Sequence, residues 1–434
     1  MEEKEMKKLL SVVLCLTMAL SLLAFGASAE EKVKLVLWDS LTSETDNEAI
    51  KKMNDLFMAE HPNVTIERVV KTTDVLSETL KAAFMSGNGP DVIYGEAGIG
   101  DDGDYVKAGY LLNLNDAYEQ YGWNDKLVAA SKDVPSANGF VWGVGHEVET
   151  MSLYYNKTLF DELGLEAPKT VEELTECLKV AVENGYYGLS NCLDSRWYNN
   201  MNFLGTILYA FMSQEEIDKC MNEDASWDME SVRNAVALVK NWLDNGYFPD
   251  HPEVDGDQDA MFCNSEAACI VTGNWAIQKM VANCDFEVGL IPFPASETCA
   301  DGGSQVNFVG GCYLVNAASA HQDIALEYID FMSANAETAK IWVEDSMKVP
   351  PYTGEYDAEV TELMNTVIGF LADENLNNVP GVNMWVAANA WEFFSTAGQK
   401  MAIGAMDVDG FIAELDAAVA KDVEECGTKA TFTY

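Results

Sequence analysis

Between Lys34 and Tyr94 the hydrophobic pattern alternates between a period of two and a period of 3.6, and few folds accept that alternation. Lys34-Leu35-Val36-Leu37-Trp38 is a β-rich run. Asp46 to Ala59 then places Ile50, Met53, Leu56 and Phe57 on one helical face, and His61-Pro62-Asn63 breaks it. Val64 to Val70 reads as a second strand, Leu76 to Met85 as a helix stopped by Gly87-Asn88-Gly89-Pro90, and Asp91-Val92-Ile93-Tyr94 as a third strand. Strands separated by helices and short loops predict a parallel α/β sheet. Ligands of such sheets bind beyond the carboxyl ends of the strands, which points to the loops that begin at Asp39 and at Gly95-Glu96.

The same reading continues downstream, with helices expected over Val171–Glu183 and Ser231–Asp244 and a strand over Ala268–Thr272. The last part of the chain is helical in pattern and closes with Phe411–Val423. No internal repeat or low-complexity linker divides it, so two lobes would have to be joined by several chain crossings.

Lys7 and Lys8, the apolar run Leu9–Phe25 and Ala27-Ser28-Ala29 have the form of a secretory signal covering residues 1–29. Glu2, Glu3 and Glu5 put acid where a signal carries positive charge, so Met6 is a candidate start beside Met1. Cys15 lies inside the apolar run, which predicts an exported protein, periplasmic or extracellular, without a lipid anchor.

Acidic residues outnumber basic ones 71 to 26, which disfavours nucleic acid and anionic membrane surfaces as partners. Arg68, Arg196 and Arg233 are the only arginines. Guanidinium forks are the usual clamp for carboxylate and phosphate, so a neutral or cationic ligand is expected. Of ten cysteines, nine remain once Cys15 leaves with the signal, and no C-x-x-C pair occurs. The cysteines are expected to be mostly free and buried, with one or two disulfides open.

A series of short stations runs along nearly the whole mature chain. They include His61-Pro62-Asn63-Val64, Gly89-Pro90-Asp91-Val92, Gly109-Tyr110-Leu111-Leu112-Asn113-Leu114 and Leu153-Tyr154-Tyr155-Asn156-Lys157. Ala167-Pro168-Lys169-Thr170, Gly273-Asn274-Trp275, Ile291-Pro292-Phe293-Pro294 and Phe308-Val309-Gly310-Gly311 follow. In order and spacing they resemble the family 1 extracellular solute-binding proteins, the group that includes maltose-binding protein. The resemblance implies a two-lobed periplasmic-binding-protein fold of the type II, Venus-flytrap kind, with three interlobe crossovers. They would fall near Glu147–Glu149, Pro292–Gly303 and Pro350–Gly354. One lobe would comprise residues 30–148 and 303–350, the other 149–302 and 351–434. A ligand held between the lobes and an ABC permease as partner are implied too, and the chain is expected to be a monomer.

A sugar offers hydroxyls at its edge and C–H groups on its faces, so it calls for carboxylates or amides together with flat aromatics. Asp39, Ser40 and Ser43 follow the first strand, and Glu96 follows the third. Glu149 matches an acidic sugar ligand of maltose-binding protein. Trp275, after Gly273-Asn274, and Trp385, in Gly381-Val382-Asn383-Met384-Trp385, stand near positions where the family stacks sugar rings, with Asn274 as a further contact beside the first. Trp197 sits in the polar stretch Asp194-Ser195-Arg196-Trp197-Tyr198, and the polar or glycine-rich flanks of all three tryptophans favour a cleft, while Trp142 and Trp391 are weaker candidates. Gly310 and Gly311 would let backbone approach the ligand, with Gly311 chosen as the contact. The lysine and arginine that maltose-binding protein carries in its first and third strand loops have no counterpart here, so maltose itself is not implied.

No catalytic residue and no cofactor is expected. His61, His146, His251 and His321 form no H-x-x-x-H, and no G-x-S-x-G occurs. Asp255, Asp257, Asp259 and Glu266 have the spacing of a calcium loop, but Ala260 stands where its glycine belongs, and an acidic helix start is the better reading. Two rivals remain: a binding protein for a cation such as a polyamine on the same scaffold, and, more remotely, a glycoside-acting enzyme.

Overall fold

The computed structural model describes residues 32–194, 201–222, 226–254, 256–299, 301–373 and 375–426. The signal segment and Trp197 lie outside them.

The chain opens with β1 (Val33–Asp39), α1 (Glu44–Glu60), β2 (Val64–Val70), α2 (Thr73–Met85) and β3 (Val92–Gly95). Each expected element is present, and β1 pairs in parallel with both β2 and β3. Local chemistry sets the boundaries. Ser43 caps α1 by accepting from the Asp46 amide at 3.0 Å, and Ile50, Met53 and Phe57 form its buried face. Past the end of α2, Gly87 takes a φ of +70°, a conformation that glycine adopts without strain.

The long strand β4 (Gly143–Asn156) comes next, followed by α3 (Val171–Glu183), β5 (Tyr187–Leu189), α4 (Glu230–Asp244) and α5 (Gln258–Cys263). Then follow β6 (Ala267–Gly273), α6 (Ile277–Asn283), β7 (Val288–Pro292) and β8 (Gln305–Val315). Helix α7 (Ala336–Ser346), a two-residue strand at Asn378–Val379, α8 (Ala388–Ala402) and α9 (Val408–Cys426) follow toward the C-terminus. Thr170 caps α3, whose buried Val171, Leu174, Leu178 and Ala181 lie one helical turn apart.

The strand order is β2-β1-β3-β8-β4-β6-β5, with β7 also on β4. β4 belongs to two sheet halves at once. From Gly143 to Thr150 it pairs antiparallel with β8, and from Met151 to Asn156 it pairs antiparallel with β6 and β7. One apolar core holds α1 against β1 and β3, through Leu35, Phe57 and Val92. A second, larger core gathers α3, α4, β6 and the C-terminal helices.

At the junction the backbone is held by side chains. The Asn274 amide accepts from the Thr150 N–H at 2.8 Å and donates to the Val148 carbonyl at 3.2 Å. Val349, just past α7, bridges Val148, whose N–H donates to the Val349 carbonyl at 2.8 Å. Next to that bridge, buried Lys348 donates to Glu147 Oε2 at 2.7 Å. The pair ties β4 to the segment that leaves α7. Removing one partner of a buried ion pair strands the other charge and costs about 3–5 kcal/mol. Lys348→Met should lower the urea midpoint accordingly, whereas Glu147→Gln/Lys348→Met should recover a large part of the loss, because no charge is left unpaired.

Candidate functional site

A cleft of about 470 Å³ opens at the junction, within the size range of small-ligand sites. Its walls come from distant parts of the sequence: the 40–46 loop and α1, Glu96 after β3, Glu147 and Glu149 on β4, Trp275 and α6, and Lys348.

Strand alternation explains why β4 is acidic on the cleft side. Glu147 and Glu149 point one way and Val148 the other, into an apolar cluster with Val349 and Ile277. Glu149 sits directly on Gly310: a Cβ built there would lie 1.9 Å from its Oε2. The β8 register shifts between Val309 and Gly311, so Gly310 is the extra residue of a bulge, and only hydrogen leaves room for the carboxylate. Burial, and next the nearby Glu147, push the Glu149 carboxyl well above its ordinary range.

Trp275 is seated in the same way. β6 ends at Gly273 and the chain turns through Asn274–Ala276, which lays the indole across Gly273; a Cβ there would meet the ring at 2.0 Å. The half-buried ring faces the cleft, opposite the acids of the other half. Gln278, one turn on, reaches across: it accepts from Thr45 Oγ1 at 2.8 Å, and its amide donates to Asp46 Oδ1 at 3.2 Å and to the Ser346 carbonyl.

Of the residues expected at the site, Ser40, Ser43, Glu96, Glu149 and Trp275 line this cleft. Asp39 does not. Its carboxylate takes a bidentate clamp from Arg68, at 2.5 Å from Nε and 2.7 Å from Nη2, together with the Leu41 N–H at 3.0 Å. It shares the inward face of β1 with Leu35 and Leu37, so it bolts the loop from beneath. Gly311 is buried against Tyr94, whose hydroxyl would lie 2.4 Å from a Cβ there; its neighbour Gly310 is the β8 glycine that lines the cleft. Asn274 is spent on the β4 backbone.

Trp385 is core rather than cleft. It is 2% exposed, stacks on Trp227 at 5.7 Å and donates from Nε1 to the Tyr209 hydroxyl at 3.0 Å. Trp142 is likewise buried, donating to Asp102 Oδ2 at 3.2 Å. Trp391 on α8 instead lines an adjoining chamber of about 210 Å³ that shares Ser40 and Glu96 with the main cleft. Trp197 lies outside the described residues.

Sequence reasoning missed Asp46, Gln278 and Lys348. Only their meeting across the junction gives them a role, and no local pattern carries that information. The acidic run after Gly256 lines the cleft from α5 while serving structure: Asp257 caps α5 at the Ala260 amide and Asp259 pairs with Lys279 at 2.5 Å. No group that could hold a metal ion occurs among the described residues.

A sheet split by one shared strand, with a polar and aromatic cleft at the split, defines a two-lobed binding protein. Residues 52–366 match the bacterial extracellular solute-binding proteins, and the chain belongs to that family. A galactooligosaccharide-binding protein of Bacillus subtilis (strain 168) is 28% identical over 365 residues, 80% of this chain and 81% of the relative. A maltooligosaccharide ABC transporter solute-binding lipoprotein of Streptococcus pneumoniae (strain ATCC BAA-255 / R6) is 24% identical over 355 residues, 77% of this chain and 78% of the relative. A chitin oligosaccharide binding protein superposes with a TM-score of 0.78 at 20% identity, covering 89% of this chain and 98% of that one, which establishes the fold. No helix among the described residues is long and apolar enough to cross a membrane. Since the relatives include lipoproteins, the expected lack of a lipid anchor gains nothing from them.

The raised Glu149 carboxyl has a consequence for stability. Its folded value lies above its unfolded one, so the neutral form favours folding and that contribution is lost as pH rises through the folded value. Glu149→Gln should therefore melt higher than wild type at pH 8, and the gap should close as pH falls to about 4.5, near the unfolded value. A calorimetric pH series measures this. A second check separates Asp39 from the ligand: Asp39→Asn should cost about 3–5 kcal/mol in urea melts through the stranded Arg68.

Proposed function

We propose that this chain captures a sugar or oligosaccharide between its lobes and delivers it to the permease of an ABC importer, binding without turnover. The observation that carries this reading is the pairing across one cleft of a flat indole, Trp275, with carboxylates Asp46, Glu96 and Glu149. An indole face suits ring C–H groups, and carboxylates suit hydroxyls in fixed directions. The sugar and oligosaccharide binders among the relatives support it. The lobes would be residues 30–148 with 303–350 and 149–302 with 351–434, closing about β4. The Gln278 bridge to Thr45, Asp46 and Ser346 would then be a contact of the closed form.

A thermal-shift screen of neutral oligosaccharides, followed by calorimetry, tests the reading. Trp275→Ala should weaken the best ligand by about 2–4 kcal/mol, roughly 30- to 1,000-fold, and Trp275→Phe should recover part of that. Glu149→Gln should cost about 1.5–3 kcal/mol and blur discrimination between stereoisomers, because a carboxylate reads hydroxyl direction and a ring face does not. Binding only of polyamines, with affinity falling steeply in salt, would overturn the sugar assignment. Release of reducing ends from a bound oligosaccharide would overturn binding without turnover.

A further inference from the structure

Cys263 is the last residue of α5, and Cys284 caps the C-terminus of α6. Twenty residues separate them in sequence, and these hold β6, the Trp275 turn and α6. In the fold the two thiols lie close enough to act on each other, and Cys263 Sγ donates to the Lys279 carbonyl of α6 at 4.0 Å. Both belong to one apolar cluster. Cys263 is buried in it with Phe262, Ile277 and Met280, while half-buried Cys284 packs on its edge. At Cys284 the backbone has left the helix for an extended conformation, φ −81° and ψ 122°. Its N–H still closes the helix on the Met280 carbonyl at 3.0 Å, so a change of side-chain rotamer, not of backbone, is what brings the sulfur toward Cys263.

We propose that Cys263 and Cys284 form a disulfide in the exported protein. Membership of an extracellular family puts the chain where disulfides persist, and the inference rests on that location rather than on any choice of ligand. The oxidant is a disulfide, either an oxidised dithiol oxidoreductase or a small-molecule disulfide. The Cys284 thiolate, the more accessible of the two, attacks it to give a mixed disulfide and releases one thiol of the oxidant. The Cys263 thiolate then attacks Cys284 Sγ and expels the second thiol. In total the pair loses two protons and two electrons, and the oxidant disulfide becomes two thiols. Burial pushes both thiols up, so the thiolate fraction at neutral pH is small and the uncatalysed reaction is slow.

The bond would fasten α5 to α6 on the Trp275 side of the cleft, where the Asp259–Lys279 ion pair already joins the same two helices. Cleft groups from both helices would then move as one body when the lobes close.

The mature protein, equilibrated with glutathione disulfide or with excess dithiothreitol, then alkylated and digested with trypsin, provides the test. Lys279 lies between the two cysteines, so their peptides separate unless bridged. The expected result is a Cys263–Cys284 cross-linked peptide confirmed by fragmentation, formed about tenfold faster per pH unit between pH 7 and 9. Wild type should melt about 5 °C higher oxidised than reduced, from closure of a loop of this length. That difference should vanish in Cys284→Ser, with Cys263→Ala as the alternative should that variant fail to fold. Full alkylation of both thiols after equilibration with the disulfide, or a cross-link from either one to another cysteine, would overturn the proposal. Neither result bears on sugar binding, which calorimetry decides separately.

Discussion

Strand β4 carries hydrogen bonds of two sheet halves along one run of fourteen residues, and the rest of the architecture is arranged around that requirement. A strand shared in this way cannot drift, since a slip by one residue would exchange its two faces. Here such a slip would bury Val148 in the cleft and drive Glu147 and Glu149 into the apolar cluster behind it. The Asn274 amide, the Val349 bridge and the Glu147–Lys348 pair all fix this register from outside the sheet.

Burying acids at such a junction carries an electrostatic cost, and the cleft distributes it unevenly. Glu147 has Lys348 as a direct partner, whereas Glu149 has no hydrogen bond from any described residue and stands only in the wider field of Lys348. The glycines Gly310 and Gly273 lower the steric side of the cost by giving a carboxylate and an indole flat ground to lie on. The proposed sugar reading rests on this pairing of an acceptor without a protein donor and an aromatic face, which suits hydroxyl donors and C–H surface presented together.

The local elements were legible because their signals are local. The β1–α1–β2–α2–β3 run, α3 and α4 follow from period, caps and breakers, and the structure moves their ends by only a few residues. The lining of the candidate cleft was legible in part. Ser40, Ser43 and Glu96 follow from their place after strands, and Trp275 and Glu149 from the family resemblance. Asp39 shows where that logic fails: the end of a strand still obeys alternation, and inward-facing Asp39 was claimed by Arg68 before any ligand. Trp385 shows the other failure, since its flanking glycine and asparagine suggested a cleft while its ring found Trp227.

The sequence by itself determined the α/β class, the alternating element order, the acidic surface and the family stations, because each is written in neighbouring residues. Tertiary structure alone decided that Gln278 meets Asp46, that Lys348 meets Glu147 and that Cys263 and Cys284 share one apolar cluster. Those partners come from segments whose spacing carries no period. Only the packing of helices on a twisted, shared sheet brings them within reach, and the same packing sets which charges are neutralised and which are left facing the cleft.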